Sequence, residues 1–397
     1  MIERGINFTM TTVGYADPVA HLTFPNATQS VMSPLVLDLQ RYLPCLVGII
    51  CALGLLCNGF IILLLLTFSN MKTLANTFIL NLALADFFFM VTFPFLGHQM
   101  YSGQWIFGRV MCKIVVPYDT MTQFTVVFFL VVMGFDRYLA ICQPIRSMHY
   151  RTIRNGRIVS LLVWLTSFLV SLPVWIYTDQ IAYKVDGGTT VNLCLALART
   201  NDSDVNGFYW WIIYTIFFDF CAPLTIIFVC YFLIIWNLWH SPLQDIRNTS
   251  RRASRKVAVL VICIVFIFVC CYLPFFIVQV IQSKLEATDG LLIAYIISWF
   301  LMYSHSTINP VVYTMLGENF RQNLPRLCRT IFRRRKTATR QSSMRTSSMY
   351  LRRSRSSLKS SNSTDGMGRI HSNGYLSVGP KITVTAQPRR LPLEDPV

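Results

Sequence analysis

The sequence predicts an all-α membrane protein: a bundle of seven transmembrane helices with a short amphipathic eighth helix and disordered tails. Three observations predict it. Of 397 residues, 54% are hydrophobic and only 13% are charged, whereas a soluble domain carries about a quarter charged residues. The charges are clumped, and the gaps between clumps match the roughly 20 apolar residues that one helical crossing needs. The mean hydropathy of +0.49 excludes disorder or a collagen-like repeat for most of the chain.

The gaps define the elements in order. No charge lies between Arg41 and Lys72, which predicts a first span at 42–68. Asp86 is the sole charge between Lys72 and Arg109, and Asp119 the sole charge between Lys113 and Asp136; these give spans at 74–99 and 109–141. Arg157 to Asp179 is empty and gives 157–178; Asp204 to Asp245 holds only Asp219 and gives 208–238. Lys256–Lys284 and Asp289–Glu318 are again empty and give 255–283 and 290–315. In lipid every backbone polar group needs an internal partner, so such runs are helices or closed barrel strands. Runs this long are helices. The expected organisation is an N-terminal tail at 1–41, the bundle at 42–315, an amphipathic helix at 316–329 and a basic tail at 330–397.

Lys and Arg concentrate in inner loops. With the N-terminus outside, the inner loops carry Lys72, then Arg146, Arg151, Arg154 and Arg157, then Arg247, Arg251, Arg252, Arg255 and Lys256. The outer segments hold nine acids (Glu3, Asp17, Asp38, Asp179, Asp186, Asp202, Asp204, Glu286, Asp289) and six bases (Arg4, Arg41, Arg109, Lys184, Arg199, Lys284), a sum of −3. The chain is expected in the plasma membrane, N-terminus outside and C-terminus inside. No basic segment followed by an apolar core precedes residue 40, so the first span acts as a signal anchor. Asn7, Asn26 and Asn201 head glycosylation triplets on the outer side. An acidic mouth attracts a basic ligand; a sum of −3 is equally an ordinary surface.

The tail from Leu316 holds 17 Lys+Arg and 4 Asp+Glu, a net +13 of the total +17. Aromatic side chains that stack bases are scarce there, so nucleic acid is not the expected partner. Its serines, among them Ser342, Ser343, Ser347 and Ser348, are candidate phosphorylation sites. A tail resting on anionic lipid is a compatible reading. Of 12 cysteines, only Cys112 and Cys194 fall near the oxidising outer surface, which predicts a disulfide between them. Cys328 follows the amphipathic stretch and is a candidate palmitoylation site.

Ionisable residues inside spans mark function by default. Asp119 and Gln123 are four residues apart and share a helix face with Cys112, so Asp119 faces the cavity about two turns below the disulfide. Asp136-Arg137-Tyr138 closes the same span, and Arg137 lies about 27 Å of helix from Asp119. Asp219 is either a second ligand contact or a protonated carboxyl bonded to a neighbour; its place four residues before Pro223 favours the second. Pro173, Pro223, Pro274 and Pro310 each remove a backbone hydrogen bond within a span.

These motifs taken in order resemble those of a rhodopsin-like (class A) G-protein-coupled receptor over about residues 40–328. They are Asn58; Leu82-Ala83-Leu84-Ala85-Asp86; Asp136-Arg137-Tyr138; Trp164; Pro223 with Tyr231; Cys271-Tyr272-Leu273-Pro274; and Asn309-Pro310-Val311-Val312-Tyr313. Within that class the chain is similar to the somatostatin, allatostatin-C and opioid receptor group, through Pro94–Gln99, Trp105–Gly108, Asp119–Thr125 and Asn319-Phe320-Arg321.

The resemblance implies that Asp119 pairs with a basic side chain of a peptide, that Gln123 lines the pocket floor, and that Gln99, Gln279 and Tyr303 surround it. It implies a heterotrimeric G protein of the inhibitory class on Arg137, with Tyr231 and Tyr313 closing around it, and arrestin and a receptor kinase at the tail. Tyr272 replaces a usual Trp two before Pro274. Of the sodium site that the resemblance places at Asp86, Ser306 and Asn309 remain, while Val126 and His305 replace a Ser and an Asn. Ser254 stands where an acid would face Arg137 from span six, so no inner ionic latch is expected beyond Asp136–Arg137.

An opioid-like or galanin-like peptide, or an amine, is the alternative ligand, although Ile213–Phe220 lacks the serines of amine receptors. A transporter predicts internal repeats, and none is found. No Lys lies in span seven for a retinal Schiff base. No nucleophile–base pair, metal cluster or phosphate loop suggests an enzyme, and no cofactor is expected.

Overall fold

A computed structural model of the chain describes residues 34–184, 190–196, 211–240, 248–285, 288–317, 320–327 and 329. All lie within Met1–Thr330. The acceptors Asn7, Asn26 and Asn201, the tail serines and Cys328 also lie outside them.

The long helices are α1 (Pro34–Thr67), α2 (Leu74–Ser102), α3 (Gly108–Cys142) and α4 (Ile153–Tyr177). A hairpin of β1 (Asp179–Lys184) and β2 (Thr190–Leu195) follows. Then come α5 (Ala222–His240), entered through a π-helical turn at Ile216–Cys221, α6 (Asn248–Gln282) and α7 (Asp289–Leu316). Seven of these segments are long and apolar enough to cross a membrane, from Arg41–Thr67 to Asp289–Met315. α1 begins eight residues before the expected span and α6 seven before. Charge gaps mark where lipid ends, whereas helical hydrogen bonding continues past that boundary.

The helix starts follow local chemistry. Thr73, Thr152 and Thr288 each accept a hydrogen bond from the backbone N–H three residues on, at 3.2, 3.2 and 3.3 Å. This caps α2, α4 and α7 by satisfying a donor that has no intrahelical partner. α2 stops at Gly103, whose φ of 70° lies in the left-handed region and whose N–H donates to the Gln99 carbonyl at 2.9 Å.

The core is apolar, as in a soluble protein, but the outward faces are apolar as well. Leu56, Leu66, Val110, Leu161, Phe228 and Phe266 point outward, each at least 61% exposed, while Asn58, Asp86, Asp136, Arg137, His305 and Asn309 are buried. Apolar faces meet lipid, and polar groups find partners only inside. α3 is the central rod: it packs on α2, α4, α5 and α6 and on both strands. α7 closes the ring against α6, α1 and α2. Beyond Gly317 the stretch 320–327 is helical. Phe320, Asn323 and Leu327 are buried there while Arg321, Gln322 and Arg326 are exposed, the amphipathic pattern expected of this region.

The hairpin is the main departure from an all-helical reading. Its strands pair antiparallel from Asp179 opposite Leu195 to Lys184 opposite Thr190. Asp186-Gly187-Gly188 between them is a turn signal that the search for apolar spans passed over.

Candidate functional site

The hairpin is fixed to the bundle from three sides. Cys112, in the second turn of α3, is disulfide-bonded to Cys194 on β2, with Cα atoms 5.5 Å apart. Gln99, near the end of α2, donates from Nε2 to the Cys194 carbonyl at 3.2 Å and accepts from the Cys194 N–H at 2.9 Å. The backbone N–H of Trp105 donates to the Asn192 carbonyl at 2.7 Å. The Arg109 guanidinium grips Asp179 on β1 at 2.7 and 2.5 Å, with Lys113 at 3.7 Å. The guanidinium holds the Asp179 carboxyl down at about 2, below the usual carboxylate range. Lys113 therefore belongs to the hairpin face, a base that the charge count of that face had left out.

Beneath the hairpin lies a cavity of about 200 Å3, lined by α2, α3, β2, the entry to α5, α6 and α7. Asp119, Gln123, Gln99, Gln279 and Tyr303 all line it. Asp119 is 9% exposed. Its Oδ1 accepts from the Thr92 hydroxyl at 2.5 Å and the Tyr303 hydroxyl at 2.9 Å, so α2 and α7 converge on α3 at this carboxylate. One turn along, Gln123 donates from Nε2 to Asp219 Oδ2 at 2.5 Å. Gln99 also has a second place: both ends of its amide are occupied by Cys194, so it holds the hairpin over the cavity. Phe276, Tyr295 and Trp299 add an aromatic wall.

The other end of α3 carries a second polar centre. Arg137, buried, pairs with the neighbouring Asp136. Asp136 also accepts from Arg151 Nε at 2.8 Å. The inner latch therefore extends beyond Asp136–Arg137, contrary to the expectation from Ser254: the chain turns back through Pro144–Ser147 and returns an arginine that the linear sequence places 15 residues away. The Tyr138 hydroxyl pairs with Gln143 Nε2 at 3.2 Å. Tyr231 is half-buried on α5, and Tyr313 on α7 packs on Phe320. Pro274 and Pro310 lie inside α6 and α7.

Residues 57–313 match the family model described as 7 transmembrane receptor (rhodopsin family). The chain belongs to that receptor family.

Among relatives, the receptor is 34% identical over 283 residues to somatostatin receptor type 4 of Rattus norvegicus, covering 71% of each chain. It is 38% identical over 285 residues to somatostatin receptor type 5 of Bos taurus, covering 70% of this chain and 74% of the other. It is 34% identical over 314 residues to melanin-concentrating hormone receptor 2 of Homo sapiens, covering 77% and 88%. The sequence motifs pointed to the first kind of relative and not to the second.

Between the two centres, Asp86 accepts from Ser306 at 2.7 Å and from Asn309 at 2.9 Å. Val126 is apolar and fully buried, and both His305 ring nitrogens are buried without a partner. Of the side-chain oxygens that the resemblance places there, those of Asp86, Ser306 and Asn309 are present, while Val126 and His305 supply none. His305 instead packs edge-on against Phe268 and Tyr272 at 5.6 and 5.5 Å. Tyr272 is fully buried and packs on Phe268 with tilted rings 4.4 Å apart, filling the position two before Pro274.

Sequence reasoning passed over Thr92 and the pairing of Arg151, and weighed Asp219 as a second ligand contact without favouring it. Thr92 and Arg151 carry no pattern of their own. Asp219 carried one: an acid inside an apolar span.

Proposed function

We propose that this receptor lies in the plasma membrane with residues 1–41 outside and 330–397 inside, binds a basic peptide beneath the hairpin, and signals through a heterotrimeric G protein of the inhibitory class. One observation carries the reading. Asp119 is a buried carboxylate on the cavity wall, and among the described residues it forms no ion pair with any Lys or Arg. Drying an acid costs several kcal/mol unless a cation joins it. A ligand ammonium or guanidinium supplies that cation. The relatives named for somatostatin and melanin-concentrating hormone support a peptide as its source.

Transmission follows from the rod that carries both centres. Ligand on Asp119 favours one conformer of the bundle. In that conformer α5 and α6 part at the far end, Arg137 leaves Asp136, and Tyr231 and Tyr313 close around the site where the G protein docks. The tail, with its serines and Cys328, then receives a receptor kinase, arrestin and anionic lipid.

The test is a panel of basic, disulfide-cyclised neuropeptides applied to cells with a cyclic-AMP readout. An active peptide should lose about a hundredfold or more in potency on Asp119→Asn, the scale of breaking one buried ion pair. Surface expression should be unchanged. Undiminished potency in the variant would reject the ion-pair reading. Asp136→Asn should raise basal signalling by releasing Arg137, and unchanged basal cyclic AMP would count against the latch.

A further inference from the structure

The cavity holds a second acid that the receptor's mechanism above does not use. Asp219 sits in the π-helical turn at Ile216–Cys221 and is 1% exposed. The turn has a local cause. Pro223 lacks the N–H that would bond the Asp219 carbonyl in an α-helix, and the Ala222 N–H instead reaches the Phe217 carbonyl. Asp219 Oδ2 accepts from Gln123, while Oδ1 is buried with no hydrogen-bond partner among the described residues. On Asp119 both hydrogen bonds from the described residues fall on Oδ1. Neither acid has an ion-pair partner among the described residues. Two carboxylates therefore line a single cavity, Asp119 9% and Asp219 1% exposed.

Their spacing follows from Gln123. It is one turn from Asp119, about 6 Å along the axis, and its amide touches Asp219. An ammonium is a point charge and serves one such acid well. A guanidinium is a planar fork with donors on opposite edges, and it stacks on aromatic faces such as Phe276 and Trp299.

We propose that Asp119 and Asp219 form a two-carboxylate socket for one guanidinium, so that the receptor selects an arginine over a lysine in its peptide ligand. This rests on the reading that Asp119 receives a basic side chain. Asp219 is the residue that sets which base is accepted.

The experiment uses the purified full-length receptor and two probes, n-propylguanidine and n-butylamine, which are the side chains of arginine and lysine. Thermal unfolding is followed with each probe at tens of millimolar. Propylguanidine should raise the wild-type midpoint by about 2 °C or more, since a ligand that binds only the folded state stabilises it. Butylamine should raise it less. Asp219→Asn should abolish the propylguanidine shift and leave the butylamine shift; Asp119→Asn should abolish both. A propylguanidine shift that survives in Asp219→Asn, equal shifts from the two probes, or no propylguanidine shift in the wild type would each overturn the socket. Probe shifts that ignore Asp119→Asn would instead sink the reading of Asp119 itself. The wild-type preference between probes needs no variant, so the proposal stays exposed even if an Asn variant folds poorly.

Discussion

Gln99 shows how one side chain holds the roof of the cavity. Its amide answers both backbone groups of Cys194, and all these atoms are buried. Gln99→Ala leaves a buried N–H and a buried C=O unpaired, at about 1–3 kcal/mol each. Its unfolding midpoint should fall, and amide exchange at Cys194 should quicken; an unchanged exchange rate would show that the disulfide alone fixes the strand. The ion pair at the hairpin edge titrates in a set direction. Because the folded-state pKa of Asp179 is lowered to about 2, its pairing with Arg109 stabilises the protein above the ordinary carboxylate range and is lost as pH falls toward 2. Arg109 is 69% exposed, so the contribution is small. The midpoint difference between wild type and Arg109→Ala should be constant at neutral pH and vanish on acidification. A difference that grows in acid would contradict the assignment. Asp119 and its helix face were legible from the four-residue spacing to Gln123. The hydroxyls of Thr92 and Tyr303 that bind it were not, because they arrive on α2 and α7.

At the scale of elements, the hairpin and the α1–α2 contact are the informative pieces. Cys112→Ser and Cys194→Ser each open the same bond, so their effects on stability and ligand response should not add. Additive losses would mean that each thiol has a separate role. The α1–α2 contact depends on Gly97, where an added Cβ would lie 2.8 Å from Val47 Cγ2. Val47 is β-branched and stiff, so the clash is relieved only by moving a helix. Gly97→Ala should cost about 1–3 kcal/mol by overpacking, and Val47→Ala in the same chain should recover part of it. Failure of that rescue would place the strain elsewhere. The helices themselves were readable from charge gaps, since lipid imposes a length and a composition on each. The hairpin was not, because twelve strand residues outside the hydrocarbon obey no such constraint.

At the scale of the whole molecule, the bundle is an apolar core threaded by a minority of buried polar side chains and wrapped in outward-facing apolar ones. A reporter on the N-terminus should be reached by impermeant reagents on intact cells and one on the C-terminus should not, as the Lys and Arg distribution requires. Both termini on one side would overturn the orientation. The sequence by itself determined seven crossings, their order, the disulfide pair and the acids and arginine placed within α3, because a membrane penalises every misplaced charge and so makes the linear pattern explicit. Only the tertiary structure decided that Arg151 folds back onto Asp136, that Gln99 serves the hairpin, and that Asp219 faces the same cavity as Asp119. Those pairings join residues from separate helices, and their energies depend on distance and burial in three dimensions, which spacing along one chain does not encode.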